Sequence, residues 1–421
     1  MSSTVLVVGA GGREHALVRA LRRSERAPEV LAIPGNAGIA RDGVECLPDG
    51  DVVAAARERS VDLVVVGPEA PLVAGVVDEL TAAGIRAFGP TKEAARIEGS
   101  KAYAKQLMRD CGVPTASHVM FRDREEAAAH LACASYPAVL KADVLAAGKG
   151  VIIAQDEREA RAAIDVFFGE KRFGETEVVL EEFLQGEELS LLALCDGERA
   201  VPLAPAQDYK RIFDGDEGPN TGGMGSYSPV PGVDADRAQE IAERVHQPIV
   251  DELRRRGTPF HGILYAGLMM SADGSAKVLE YNARFGDPET QAVLPRLRSD
   301  LLDLLEASAE PGGLAGVEPE WTSDWAVTVV LASGGYPESS SSGDVISGLD
   351  EVEDAEVFHA GTAERDGEVV TAGGRVLCVT GLGGTPGEAR DRAYAGAERI
   401  DFDGRQLRSD IAARAVDRVG A

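Results

Sequence analysis

Three polar side chains stand at alternate positions in the segment VLEYNARFGDPETQ, residues 278–291. Glu280 and Asn282 are two residues apart on a predicted strand, so their side chains share one face. Both supply hard oxygen atoms, which suit a Mg²⁺ ion that keeps waters and also binds substrate phosphates. Arg284 follows on the same face, where it could stabilise a phosphoryl group in transfer. The alternative, a strand whose polar face is merely hydrated, leaves the dense GDPET turn unexplained.

A glycine-rich loop between two predicted strands, KADVLAAGKG, is a second candidate for phosphate chemistry. Gly148, Lys149 and Gly150 could fold over a triphosphate as a lid, while Lys141 pairs with the phosphates from beneath. The Walker A pattern, in which such a loop precedes a helix, is absent. The alternative is an ordinary hairpin with a surface lysine.

Acidic residues follow the predicted strand in VVLEEFLQGEELSL: Glu181, Glu182, Glu187 and Glu188. Carboxylates at the end of a strand can accept hydrogen bonds from ribose hydroxyls, and nearby backbone groups can bind an adenine edge. In an acidic protein, a solvated acidic turn is the competing interpretation.

Mixed charges stand beside a second glycine-rich loop, in AQDYKR and GPNTGGMGSYSP. Asp208, Lys210 and Arg211 precede a loop that contains Gly222 and Gly223, and glycine-rich loops can bind anions through the backbone. The combination suits a small zwitterionic or phosphorylated substrate. A plain flexible loop is the alternative.

The N-terminal segment VLVVGAGGREH predicts a tight turn between a strand and a helix. Gly9, Gly11 and Gly12 can leave backbone N–H groups facing a phosphate. Glu14 stands where a dinucleotide fingerprint needs glycine, which disfavours NAD. A turn without a ligand is equally compatible with this spacing, and we expect Arg13 and His15 to face solvent.

The elements that must hold these residues begin with an alternating α/β pattern. Apolar runs predict strands at 4–9, 30–33, 62–66 and 85–88, and helical spacing predicts a helix at 13–23. Such a pattern implies a parallel sheet, whose ligands gather at the carboxyl ends of the strands.

The pattern changes near Ser100, which is expected to cap a helix. Further predicted elements are strands at 137–141, 151–154 and 177–181, a helix at 157–167, a long glycine-rich stretch at 205–232, a helix at 241–255, strands at 262–270 and 277–282, and an α+β module from about 326. The stretch 205–232 is too long for an ordinary connection, and such stretches are usually functional.

Composition narrows the class of protein. The 421 residues are 44% hydrophobic and carry a net charge of −27, which argues against a nucleic-acid binder and indicates a solvated surface that stays soluble at high salt. No apolar run is long enough for a membrane span, and the N-terminus does not read as a signal peptide. Five separated cysteines fit reduced thiols. We therefore expect a cytoplasmic, multi-domain protein, as a monomer or a weak homo-oligomer.

Taken together and in this order, these segments resemble the phosphoribosylamine–glycine ligase family, ATP-grasp enzymes of purine biosynthesis. The resemblance runs nearly end to end and includes PGNAG, VGPEAPLV, EGSKAYAK, YAGLM, FHAGT and GGRVLCVT. It implies an N-terminal α/β domain at 1–100, a central ATP-grasp domain at 101–325 with a lid lobe at about 115–195, and a C-terminal α+β domain at 326–421.

The resemblance also implies the reaction and its participants: ATP, glycine and 5-phosphoribosylamine give glycinamide ribonucleotide, ADP and phosphate through a glycyl phosphate, with Mg²⁺ or Mn²⁺. By the resemblance, the residues that bind ATP are Lys105, Lys141, Gly148, Lys149, Gly150, Glu181, Phe183 and Glu188. Glu280 and Asn282 would bind the metal, Arg284 would stabilise the transition state, and Asp208, Lys210 and Asp287 would orient glycine or the sugar phosphate. The glycine turn with Gly9, Gly11 and Gly12 would face the phosphoribosylamine side, and the other substrate-binding residues would include Arg13, Gly222 and Gly223.

Four positions depart from the family pattern. Val144 stands where glycine is common, which would cost stability if the backbone there needed a positive φ. Tyr209 replaces a frequent histidine, Ala283 replaces a frequent cysteine, and Leu268 cannot serve as a third metal ligand. Two other functions stay open: a related ATP-grasp ligase that acts on another acid, and a nucleotide-binding regulator without turnover.

Overall fold

The computed structural model describes residues 3–145 and 150–420. Its N-terminal part is a parallel five-stranded sheet in the order β3-β2-β1-β4-β5, flanked by helices. The strands are β1 Thr4–Gly9, β2 Glu29–Pro34, β3 Glu45–Cys46, β4 Leu63–Val66 and β5 Arg86–Phe88. The helices are α1 Gly12–Arg22, α2 Ala37–Arg41, α3 Val52–Glu58, α4 Glu69–Ala74, α5 Val76–Ala82, α6 Lys92–Gly99 and α7 Lys101–Cys111.

This part confirms the predicted α/β pattern. Strand β1 is almost wholly buried, as expected for a β-branched strand covered on both faces. Ser100 caps α7 by accepting a hydrogen bond from the Tyr103 N–H, and Gly112 ends that helix in the left-handed conformation.

A small lobe follows, built on an antiparallel sheet in the order β6-β9-β7-β8. Its elements are β6 His118–Phe121, α8 Arg124–His130, β7 Ala138–Ala142, β8 Val151–Ala154, α9 Glu157–Ile164 and β9 Val178–Glu182. Strands β7 and β8 pair on either side of the predicted lid loop. This lobe has its own apolar core, which includes Phe121, Leu140 and Phe167.

The middle of the chain adds a second antiparallel sheet in the order β11-β10-β16-β17. Its strands and those of the 205–232 stretch are β10 Glu187–Asp196, β11 Ala200–Pro202, β12 Gln207–Asp208, β13 Arg211–Phe213, β14 Glu217–Asn220, β15 Gly225–Ser228, β16 His261–Met270 and β17 Ala276–Asn282. The helices are α10 Ala235–Val245, α11 Gln247–Arg255, α12 Glu289–Val293 and α13 Leu301–Ala309.

Two sequence expectations for this region need correction. The helix predicted at 241–255 is two helices, α10 and α11, which meet at His246. Pro248 in the first turn of α11 has no N–H to continue the ladder of α10. The stretch 205–232 is also not a plain loop, because it contains four short strands.

The C-terminal part contains β18 Trp325–Ala332, β19 Glu356–His359, β20 Thr362–Arg365, β21 Glu368–Thr371, β22 Arg375–Gly383, α14 Pro386–Arg399 and α15 Ala413–Val419. Its main sheet has the order β12-β15-β18-β22-β19. Strands β12 and β15 come from the 205–232 stretch, so this sheet joins two separate parts of the chain. The predicted boundary at 325/326 therefore separates strands of one sheet and falls just after the first residue of β18. The domain limits stay a prediction.

Two findings bear on the expected environment of the chain. All five cysteines are free thiols. No helix within residues 3–145 and 150–420 combines the length and the apolar character that crossing a lipid bilayer demands.

Candidate active site

The end of β17 brings the predicted metal ligands and Arg284 together. Glu280 lies opposite Gly267 of β16, and its side chain is 40% exposed. The Arg284 Nη2 donates a hydrogen bond to the Asn282 Oδ1 over 3.2 Å. Asn282 is half-buried, so an oxygen from each residue can reach a bound ion.

Charge at this strand end favours an ionised Glu280. Burial opposes ionisation of this carboxyl, but the ammonium groups of Lys210 and Lys141 outweigh it and lower its pKa. Within the described ranges, no three His, Cys, Asp or Glu side chains converge as a ready-made metal site. The donor set of Glu280 and Asn282 fits a Mg²⁺ ion whose remaining ligands are waters and phosphate oxygens.

Arg284 is held by two glutamates from the first hundred residues. Its Nη2 lies 3.1 Å from the Glu98 Oε1, and its Nε donates to the Glu69 Oε2 over 3.3 Å. The Glu98 Oε2 also accepts the Ala283 N–H over 2.7 Å. Sequence reasoning did not single out either glutamate, although each lies in a quoted motif, VGPEAPLV or EGSKAYAK.

Lys105 and Lys141 converge on one carboxylate. Their ammonium nitrogens lie 3.2 Å and 3.0 Å from the two oxygens of Glu181. Burial is the main cause that lowers the pKa of Lys105 to about 8, and the charge of Lys141 adds to it. Glu181 is enclosed between the lysines, so it differs from the expected open ribose contact. One carboxylate balances only one of the two ammonium charges, so a ligand phosphate near the lysines would supply the remaining negative charge.

A third ion pair adjoins this group. The Lys210 Nζ lies 2.9 Å from the Glu188 Oε2 and 4.0 Å from the Glu280 Oε1. Burial and the carboxylates around Asp208 raise the pKa of that acid despite the nearby Lys210. Glu289 also adjoins the group as a buried acceptor, although sequence reasoning did not name it.

The lid region is described only in part. Gly148 and Lys149 lie outside the described residues. The Gly150 carbonyl accepts the Ala142 N–H over 2.9 Å, which closes the β7–β8 hairpin. Phe183, just after β9, is 38% exposed and free to meet a planar ring.

The departures from the family pattern cause no visible strain. Val144 is not among the described residues with a positive φ, so the valine carries no left-handed penalty. Tyr209 is buried, and its hydroxyl accepts the Ala412 N–H over 2.9 Å. Leu268 and Ala283 are buried apolar residues.

The glycine turn before α1 differs from the expectation in two ways. Arg13 and His15 are buried, with 6% and 0% exposed, so the prediction that they face solvent is wrong. The Gly11 N–H donates to the Glu14 Oε2 over 2.6 Å, so this N–H is not open to a phosphate. Gly9 has a φ of +124°, and an added Cβ would lie 2.7 Å from Glu14.

The Phe285 carbonyl links this turn to the predicted metal site at the end of β17. It accepts hydrogen bonds from Arg13 over 3.2 Å and from Arg284 over 3.1 Å. Two regions that lie 272 residues apart in the sequence therefore share one backbone oxygen.

Asp287 faces the same turn. One of its oxygens lies 3.1 Å from the Arg375 Nη2, and the other accepts a hydrogen bond from Gln291 over 2.8 Å. Burial opposes ionisation of Asp287, but Arg375 and Arg13 outweigh it and lower the pKa. Arg375 also donates to the Gly222 carbonyl over 2.6 Å.

An open pocket of about 340 Å³ lies between these groups. Its walls include Gly11, Asp287, Thr362 and Arg375. Gly223 lies behind one wall with a φ of +109°, where an added Cβ would come within 2.4 Å of Pro288. Sequence reasoning named Asp287 but missed Arg375, which is the pocket's cation. Its position in GGRVLCVT was the available signal.

The fold and this clustering of lysines, acids and arginines define an ATP-grasp enzyme. The biotin carboxylase domain of 2-oxoglutarate carboxylase from Hydrogenobacter thermophilus shares the fold, with a TM-score of 0.73 at 17% identity over 100% of this chain and 98% of that one. That domain was crystallised with MgADP, ADP and bicarbonate.

The chain belongs to the phosphoribosylglycinamide synthetase family. It matches the N domain of that family at residues 3–98, the ATP-grasp (A) domain at 99–290 and the C domain at 326–414.

Named relatives agree with that membership. The phosphoribosylamine–glycine ligase of Streptomyces coelicolor is 52% identical over 98% of this chain and 99% of its own length. That of Ralstonia nicotianae is 48% identical over 98% and 100%. The crystal structure of the Thermotoga maritima ligase matches with a TM-score of 0.85 at 38% identity, over 97% of this chain and 100% of that one.

Proposed function

We propose that this protein ligates glycine to 5-phosphoribosylamine at the expense of ATP, giving glycinamide ribonucleotide, ADP and phosphate in purine biosynthesis. Relatives that carry the ligase name and align over nearly their whole length support this activity. The observation in the site that carries most weight is the shared Phe285 carbonyl. It joins Arg284, which would act in phosphoryl transfer, to Arg13 in the glycine turn, which would face the sugar phosphate.

In the first half-reaction, a glycine carboxylate oxygen attacks the γ-phosphorus of ATP, the bond to ADP breaks, and glycyl phosphate forms. Lys105 and Lys141 would neutralise the nucleotide phosphates. Arg284 would stabilise the charge of the transferring group from a position fixed by Glu69 and Glu98. Fixed donors lower the barrier because they need not reorganise during the reaction.

In the second half-reaction, the amine of phosphoribosylamine attacks the acyl carbon, the carbon–oxygen bond to phosphate breaks, and the nitrogen loses a proton. Asp208 and Lys210 would bind the ammonium and carboxylate of glycine. Asp287 would face the amino sugar from the pocket beside Gly11.

Glu280 and Asn282 would hold Mg²⁺ or Mn²⁺. When bound, such an ion neutralises phosphate charge and polarises the transferring group. The half-exposed Glu280 carboxylate is available for this role, and a hydrogen bond from Arg284 holds the Asn282 amide oxygen in place.

The proposal includes the setting of the enzyme. We expect small-molecule substrates, no nucleic-acid partner, and action in the cytoplasm as a monomer or weak homo-oligomer. Size-exclusion chromatography with light scattering checks the oligomeric state.

The test is release of ADP with glycine and freshly generated phosphoribosylamine, with each substrate omitted in turn. Glycine labelled with ¹⁸O in its carboxylate should deliver one ¹⁸O atom to each phosphate released, because that oxygen attacks ATP. Release that requires bicarbonate or formate instead of glycine would indicate another ATP-grasp ligase. Nucleotide binding without turnover would indicate a regulator.

A further inference from the structure

Three motifs each supply one side chain to which the proposed chemistry gives no role, and these three side chains meet in one hydrogen-bond network. The motifs are GREH at the start of α1, PGNAG after β2, and FHAGT at the end of β19. The three side chains are those of His15, Asn36 and His359, and all three are buried. Buried polar side chains need partners, so their pairing is a structural requirement.

The network fixes the backbone of His359 from two sides. The His359 N–H donates to the His15 Nδ1 over 2.8 Å. The Asn36 Nδ2 donates to the His359 carbonyl over 2.8 Å and to the Ala10 carbonyl over 2.8 Å. Asn36 therefore joins the glycine turn, which contains Ala10, to the strand that leads into residues 360–362.

His15 is held in one tautomer. Because its Nδ1 accepts the His359 N–H, its Nε2 carries the proton and donates to the Asp42 Oδ2 over 3.1 Å. Arg19 fixes that carboxylate over 2.7 Å. Burial lowers the pKa of His15, which keeps the ring neutral and its Nδ1 an acceptor.

Both tied segments line the pocket of about 340 Å³. Ala10 and Gly11 form one part of its wall, and residues 360–362 form a second wall. The His359 ring reaches this second wall through a 3.1 Å contact between its Nδ1 and the Thr362 Oγ1. The spacing between the walls therefore depends on side chains that do not line the pocket.

We propose that His15 and Asn36 are positioning residues that set the width of this pocket for phosphoribosylamine. The inference rests on the proposed function, which assigns this side to the amino sugar. The pocket's chemistry suits that ligand, because Arg375 can pair with a phosphate and Asp287 with an amine. A displaced wall would weaken binding of this substrate while leaving ATP and glycine bound as before.

The first test is Asn36→Ser, which keeps an oxygen to cap α2 and removes both bridging N–H groups. The matched control is Asp51→Ala, which removes the exposed cap of α3 in the same part of the chain. We expect Asn36→Ser to raise the KM for phosphoribosylamine by roughly tenfold, with the KM for ATP and glycine within twofold. Asp51→Ala should change none of the three KM values.

The second test compares three replacements of His15. His15→Ala should raise the same KM, and His15→Asn should restore much of the loss because its amide oxygen can take the place of Nδ1. His15→Gln carries its amide nearer the Nε2 position and should rescue less. A merely structural role would make rescue follow thermal stability instead of the Nδ1 position.

The outcomes separate the two proposals. If wild-type protein transfers no ¹⁸O from glycine to phosphate, the proposed function fails. If wild-type protein is active but Asn36→Ser raises all three KM values equally, or none, the positioning role is wrong. The same holds if His15→Asn and His15→Gln rescue equally.

Discussion

At the scale of single residues, Glu280 matters most, because it is the one half-exposed carboxylate at the end of β17 that is ionised by neighbouring lysines. Arg284, which follows the end of β17, is by contrast enclosed by its partners Glu69 and Glu98. The two side chains therefore divide the work: one is open to an ion, and the other is fixed to a place.

Glu280→Ala should lower kcat by a factor of about 100 or more, since it removes the charged metal ligand at a site of phosphoryl transfer. The measurement is glycine-dependent ADP release, with circular dichroism to show that the fold is retained. Asp273→Asn, in the exposed turn between β16 and β17, is the matched control and should keep full activity. Activity of Glu280→Ala within twofold of wild type would remove the metal assignment.

Asp208 gives a prediction about pH. Burial is the leading cause that raises the pKa of Asp208 to about 8, and Glu289 and Glu188 add to it against the effect of Lys210. The charged form therefore grows as pH rises through about 8. If that form binds the glycine ammonium, kcat/KM for glycine should rise with pH from 6 to 8.

The control for this pH profile is Asp208→Asn, which cannot ionise at that position. Its kcat/KM for glycine should be lower and flat over the same pH range. A rising limb that persists in Asp208→Asn would show that another group titrates.

At the scale of elements, the stretch 205–232 decides how the site is built. It carries Asp208 and Lys210 on one side and Gly222 and Gly223 on the other, and β15 anchors it to the C-terminal sheet. The N-terminal glutamates also come from elements distant in sequence. Glu98 lies on α6, which packs against β17, and Glu69 lies on α4, which packs against α6. Each functional side chain thus depends on an element distant in sequence.

Gly223→Ala should destabilise the protein more than Gly232→Ala. Both positions have a positive φ, which costs an alanine about 1–2 kcal/mol. Only at Gly223 would the added Cβ meet Pro288, at 2.4 Å, and crowding of this kind adds about 1–3 kcal/mol. Urea denaturation of the two variants measures the difference.

The same pair separates folding from function. Pro288 follows Asp287, so Gly223→Ala should also raise the KM for phosphoribosylamine, while Gly232→Ala should not. Equal stabilities for the two variants would contradict the crowding at Pro288.

At the scale of the whole molecule, the net charge of −27 sets the response to salt. Repulsion among the excess carboxylates destabilises the compact state, and salt screens it. Many arginine–carboxylate pairs lie on the surface, but such pairs contribute only about 0–1 kcal/mol each. Screening of the repulsion should therefore dominate.

We expect the midpoint of thermal unfolding at pH 7.5 to rise as KCl increases from 0.05 to 1 M. At pH 5.5, nearer the sequence pI of about 4.7, the same increase in KCl should raise it less, because the net charge is smaller. A midpoint that falls with KCl at pH 7.5 would mean that the surface ion pairs outweigh the repulsion.

The sequence by itself determined the local elements and the chemistry of the metal side. The period-2 spacing of Glu280 and Asn282 and the β-branched runs of the first sheet are local properties, and local properties can be read from neighbouring residues. One local prediction was wrong, because Pro248 interrupts the segment 241–255 that was predicted as a single helix.

Only the tertiary structure decided which distant side chains complete the site. Glu69 and Glu98 meet Arg284, and Arg375 meets Asp287, across separations of 88 to 215 residues. No local periodicity encodes such a contact. The burial of Arg13 and His15 has the same cause, because a first-turn residue faces solvent unless another part of the chain covers it. Elements follow from short-range sterics and hydrophobic spacing, whereas a site follows from how those elements pack together.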